Sequence, residues 1–143
     1  MNARGFTALE LLVVLAVLGI LLAIAAPSYQ AWITRTELDR AAGLVATELQ
    51  ATRSAARTGI LRTFSTTAGG TSVVSRGVTI PLPSATTDDA RSVTFQPPFG
   101  TIQVPSGSAA PSTPVQIVVR STRRPALFRT VSVVSLMGKV IVK

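Results

Sequence analysis

From Phe6 to Pro27 the chain is an almost unbroken apolar run, and Leu11 to Pro27 contains no charged or strongly polar side chain. About 20 such residues span a bilayer as a helix. No turn signal follows. The pattern instead becomes amphipathic, with Leu38, Ala41, Ala42, Val45, Leu49 and Ala56 at helical spacing. Arg35, Glu37, Arg40, Glu48 and Arg53 fall mostly off that stripe. The two patterns predict one helix over Phe6–Thr58, ~80 Å long at 1.5 Å per residue. Gly59 is a favoured residue just past a helix end, and Arg53 and Arg57 suit the negative end of the dipole. The stripe needs a covering layer. Pro27 removes the bond to the carbonyl of Ala23 and bends the helix, and Gly19 lowers local helix stability. The stretch between them is either a static kink or a segment that melts on packing.

Beyond Gly59 the period changes to that of strands. Leu61–Ser65, Ser72–Ile80, Ser92–Gln96, Thr101–Val104, Val115–Arg120, Ala126–Val134 and Lys139–Val142 are rich in Val, Ile, Thr and Phe and are broken by Gly and Pro. Pro105 to Pro114 reads as an exposed loop, and "SLMGKV" as a hairpin turn with Gly138 at the tight position. The expected fold class is α+β. A long N-terminal α-helix, transmembrane in its first half and amphipathic in its second, packs on a small antiparallel β-sheet domain. The parts are residues 1–5 as a leader, 6–27 as a transmembrane helix, and 28–143 as amphipathic helix plus sheet.

Composition narrows the chemistry. There is no Cys and no His, which removes thiol chemistry, the commonest general base and the commonest metal ligand. Asp88 and Asp89 are adjacent, so on a strand they point to opposite faces. No phosphate-cradling loop or metal-ligand spacing is present. The chain reads as a non-enzyme with no cofactor and no metal. The net charge of +8 is uneven. From Ala90 onward there is no acid, while Arg91, Arg120, Arg123, Arg124, Arg129, Lys139 and Lys143 all lie there. Such an end either attracts polyanions such as nucleic acid or is a solvated face. Arg123 and Arg124 precede Pro125, which favours an extended segment.

One residue in the N-terminal run is out of place. Glu10 puts a carboxylate where a bilayer centre charges roughly 2.5–3.5 kcal/mol. A cleaved secretory signal would carry a basic n-region and a small-x-small site, and Ala23-Ile24-Ala25 fits the second of these. A plain single-pass anchor fits better: Arg4 stays on the cytoplasmic side, and Tyr29 and Trp32 fall at the far interface. Neither explains Glu10. A cut after Gly5 does, because Phe6 then carries a free ammonium. A neighbouring copy's ammonium would pair the acid and set the register between chains.

The residues "RGFTALELLVVLAVLGILLAIAAPSY" resemble the class III signal of type IV pilins and type II secretion pseudopilins. The likeness rests on a basic leader ending in Gly5, Phe6 as first mature residue, Glu10 as fifth, and a helix carrying Pro27. It implies cleavage between Gly5 and Phe6 and N-methylation of Phe6 by a prepilin peptidase. It also implies assembly through Phe6, Glu10 and Pro27 with other major or minor pilins or pseudopilins, on an inner-membrane platform. The chain would be a single-pass inner-membrane protein with its C-terminal domain in the periplasm or outside.

The tail resembles the GspH/FimT branch of minor pilins and pseudopilins, through "VTFQPPFGTI", with Phe95 and Gly100, and the terminal "RTVSVVSLMGKVIVK". That branch implies a subunit that starts or caps a pilus or a type II secretion pseudopilus. Some FimT-like members bind DNA during natural transformation through a Gly-Arg-x-Arg motif. Here Gly138, Lys139, Val140 and Ile141 stand in its place, so the motif is not kept. Arg120, Arg123, Arg124, Arg129, Lys139 and Lys143 are the candidate DNA contacts, through salt-sensitive phosphate binding.

Overall fold

The computed structural model describes residues 7–103, 115–135 and 137–143. The leader expected at residues 1–5, Phe6 and the loop expected at Pro105–Pro114 lie outside the described residues. The chain divides into two units, the first ending at Ile33 and the second running Thr34–Lys143.

Helix α1, Ala8–Ala56, extends through both, with Pro27 inside it. Its last turn tightens rather than continuing to Thr58: Arg57, Thr58 and Gly59 donate to carbonyls three residues back, and Gly59 takes φ 105°. In the first unit every side chain from Thr7 to Gln30 is exposed. In the second, α1 buries Thr34, Leu38, Ala41, Ala42, Val45, Leu49, Thr52 and Ala56. The six apolar positions of the expected stripe are all among them. The two threonines complete it.

The covering layer is two antiparallel sheets. One has the order β3-β2-β1-β5-β6, from β1 (Arg62–Thr66), β2 (Ser72–Ser75), β3 (Val78–Pro81), β5 (Arg91–Gln96) and β6 (Thr101–Ile102). The other has the order β4-β7-β8-β9, from β4 (Ala85–Thr87), β7 (Val115–Ser121), β8 (Phe128–Val133) and β9 (Val140–Val142). Phe64, Val73, Val93 and Phe95 of the first sheet and Ile117, Val119, Val131 and Val133 of the second join the stripe in one core.

Two expectations need correction. Ser72–Ile80 is not one strand but a hairpin. Arg76 and Gly77 take φ 56° and 82°, the two-residue turn that matches strand twist, and Ser75 pairs with Val78. The apolar residues on both arms hid a turn whose first residue is an arginine. The short strand β4 was not expected at all; Thr87 pairs with Val119, and its hydroxyl donates to the carbonyl of Thr67 at 2.7 Å.

Candidate assembly site and basic surface

Glu10 lies in the first turn of α1 and is held by Thr7. The backbone N–H and the hydroxyl of Thr7 both donate to Glu10 Oε2 at 2.9 Å, and the Glu10 N–H donates back to Thr7 Oγ1 at 3.2 Å. This is a capping box, which satisfies N–H groups that the first turn leaves without partners. "TALE" ahead of an apolar run is its sequence signature, and the reading of Glu10 as a registry device overlooked it. Both bonds fall on one oxygen. Oε1 accepts none among the described residues.

The rest of this unit is uniform. The large apolar side chains from Leu9 to Leu22 and Ile24 expose about half or more of their surface, and among the described residues α1 is long and apolar enough to cross a membrane. Tyr29 and Trp32 stack with ring centroids 6.1 Å apart, both about 60% exposed.

In the second unit the basic residues from Arg120 onward do not form one open cluster. Arg120 Nε donates to Asp88 Oδ1 at 2.8 Å and its Nη2 donates to Oδ2, a two-pronged pair. Its guanidinium lies 5.5 Å from the Phe128 ring centroid, and Nη1 donates to the carbonyl of Pro125. The hydrogen bonds between Arg120 and Asp88 hold the Asp88 carboxyl below its ordinary range and push Arg120 up. Arg129 Nε donates to Asp39 Oδ1 at 2.7 Å, and Arg123 lies 3.4 Å from Glu37. Among the described residues Arg124, Lys139 and Lys143 form no ion pair. Lys143 pairs through its backbone with Thr130, whereas Lys139 pairs through its carbonyl with Val134 at the other end of β8. At ~3.4 Å per residue the two lysines stand more than 10 Å apart along the strand.

The structure shows what the tail signature does. Gly100 takes φ 66° and Gly138 φ 70°; a Cβ on Gly100 would stand 2.8 Å from the Arg53 carbonyl oxygen, and one on Gly138 2.9 Å from Arg53 Cδ and 3.1 Å from Phe95. Gly100 and Gly138 thus make room for Arg53, the last-turn arginine of α1, and Gly138 also for Phe95. The sequence pattern marked the glycines and the phenylalanine but not the arginine that the glycines accommodate.

A family described as the prokaryotic N-terminal methylation motif matches residues 1–26. The chain is 45% identical over 58 residues to a fimbrial protein of Pseudomonas aeruginosa, covering 41% of this chain and 35% of that one. It is 49% identical over 47 residues to a type IV major alpha-pilin of Moraxella bovis, covering 32% and 30%. A type IV major fimbrial protein of Dichelobacter nodosus is 51% identical over 37 residues, covering 26% and 24%. The chain thus spans about a third or less of the length of these relatives. No solved structure matches it. An N-terminal methylation motif over residues 1–26, an exposed apolar helix capped at Glu10, the continuation of that helix packed on antiparallel sheets, and N-terminal likeness to fimbrial proteins and a type IV pilin together support the type IV pilin superfamily.

Proposed function

We propose that the chain is a structural subunit of a pilin-class filament: a minor pilin or pseudopilin that helps to start or cap a type IV pilus or a type II secretion pseudopilus. A prepilin peptidase cuts between Gly5 and Phe6 and methylates Phe6. The apolar helix anchors the subunit in the inner membrane before it enters the filament, with the C-terminal unit in the periplasm or outside. Relatives named as fimbrial proteins support the filament class, and the Phe95–Gly100 and Gly138 signature supports the minor branch.

The observation that carries this reading is Glu10, the one acid in an exposed apolar stretch, with one oxygen in the cap and the other accepting no bond among the described residues. A helix cap contributes about 0.5–2 kcal/mol, less than the ~2.5–3.5 kcal/mol that a bilayer centre charges for the carboxylate. An ammonium from Phe6 of a neighbouring subunit closes the gap. Glu10→Gln separates cap from charge, because Gln also serves a capping box. The variant should insert normally and enter sheared filaments at a fraction of the native level. Native recruitment would reduce Glu10 to a cap. Mass spectrometry of the membrane-extracted chain should find a methylated Phe6 at its start; a mature N-terminus at Ala26 would sink the reading.

A second reading, a DNA-binding minor pilin for DNA uptake, is supported by surplus charge. All five side-chain acids of the C-terminal unit are paired, and of the basic tail Arg124, Lys139 and Lys143 stay unmatched among the described residues. Salt-dependent retention on duplex DNA tests it.

A further inference from the structure

The acids of the C-terminal unit are all occupied within the chain. Glu37 holds Arg123, Asp39 holds Arg129, Glu48 holds Arg76, Asp88 holds Arg120 and Asp89 holds Arg91. At the C-terminal end of α1 another group of cations has no such partner among the described residues. Gly100 lies against Arg53 and Arg57, and Gly138 against Arg53 and Phe95. Arg62 stands opposite Phe95 in the β1–β5 register, and Lys139 follows Gly138. The Nε atoms of Arg53 and Arg62 are buried and donate to nothing among the described residues. The helix end offers the equivalent of about half a negative charge, short of what three arginines and a lysine require. The same turns expose large apolar side chains, Phe99 at 69% and Met137 at 62%.

We propose that Arg53, Arg57, Arg62 and Lys139, around Phe99 and Met137, form a contact surface for a different filament subunit whose facing surface is acidic and apolar, and not for a second copy of this chain. The inference rests on the structural-subunit reading. Each side-chain carboxylate in a second copy's C-terminal unit already holds an arginine, so self-contact here would break an internal ion pair or set like charges together, which disfavours that partner. Arg, Met and aromatic residues are the types enriched in protein interfaces. Phosphate contacts would use the cations but leave Phe99 and Met137 uncovered. The chain supplies arginine and apolar anchor; the partner must supply carboxylates.

The chain has no cysteine, so Phe99→Cys and Met137→Cys report on this surface alone. In cells that build the filament, the full-length variants are labelled at the introduced cysteine with a maleimide–benzophenone and irradiated, so that the ketone inserts into a C–H bond of whatever chain faces it, and the adducts are identified by mass spectrometry. The expected adduct joins another pilin-class subunit at a peptide bearing Asp or Glu. Reversing the exposed Arg57 and Lys139 together (R57E/K139E) should lower its yield about tenfold or more, in line with loss of close charge pairs. An adduct with a second copy, one unchanged by charge reversal, or none in membrane and filament fractions overturns the proposal. So does binding of a fluorescent duplex oligonucleotide that R57E/K139E abolishes while no protein adduct forms. A chain that is cross-linked in the membrane but absent from filaments defeats the structural-subunit reading, not the surface.

Discussion

The two halves of α1 share a backbone and differ in everything the side chains meet. From Ala8 to Gln30 no residue is buried; from Thr34 to Ala56 eight are, at helical spacing. The first half is apolar all round, the mark of a helix meant for lipid or for other helices, and the second is apolar on one stripe that its own sheets cover. Hydrophobicity alone does not say where a helix is buried. Its angular spread does. The sharpest way to break the comparison is one substitution in each half. Leu49→Ala removes a fully buried side chain and should cost the C-terminal unit about 2–5 kcal/mol in denaturant unfolding of the full-length chain in detergent. Leu15→Ala, 56% exposed, should leave that transition in place. Equal effects would mean that the stripe is not the core.

A smaller effect is expected where the stripe ends. Both Gly100 and Gly138 hold φ near 70°, where a residue with a Cβ is strained by about 1–3 kcal/mol. Gly138→Ala also pushes on Arg53 Cδ, the middle of a flexible side chain, so Arg53→Ala should recover part of its loss. Gly100→Ala pushes on the Arg53 carbonyl oxygen at 2.8 Å as well as on Arg53 Cγ at 2.9 Å; Arg53→Ala removes only the second, so the backbone clash stays and the recovery should be smaller. A double-mutant cycle with equal recovery at both sites would show that backbone strain, not the Arg53 contact, decides.

The sequence made the helix and its stripe legible because period and composition there agree over many residues. It hid what depends on contacts between distant positions. The β2–β3 hairpin was concealed because Arg76 is a poor advertisement for a positive φ. Strand β4, three residues long, has no periodicity to detect. The capping box at Thr7 and Glu10 was present as "TALE" and was outweighed by a longer-range explanation of the same acid. The arginines after Arg120 looked like one basic cluster because ion pairs such as Arg129–Asp39 reach across ninety positions of chain, which charge counting cannot see.

Those pairs allow the comparison to be sharpened by pH. The Asp88 carboxyl lies below its ordinary value of 3.8 because Arg120 donates to both its oxygens. A lowered folded-state value contributes stability that is present above the ordinary value and is lost as pH falls through the lower one. Asp88→Asn should therefore melt at a lower temperature than the native chain near neutrality, and the gap should close below about pH 4. A gap that persists at pH 2 would assign the loss to packing of the amide.

The smallest expected effect separates paired from unpaired arginines within one turn. If phosphate contacts come from the basic tail, log affinity for duplex DNA falls against log salt with a slope of about −0.9 for each phosphate neutralised. Neighbours by sequence, Arg123 and Arg124 differ in the structure. Arg123 already lies 3.4 Å from Glu37, while Arg124 forms no ion pair among the described residues. Arg124→Gln should flatten the slope by about one unit. Arg123→Gln should flatten it by less, since its charge is partly committed, and the double variant should fall short of the two units that counting arginines would give. Glu37→Gln is the converse: freeing Arg123 should steepen the slope. Were the two arginine variants equivalent, the Arg123–Glu37 contact would be a surface encounter of no energetic weight, as many exposed ion pairs are. No retention at about 50 mM salt, where phosphate contacts are strong, would remove the DNA reading for the isolated subunit and leave the paired arginines with a role inside the fold alone.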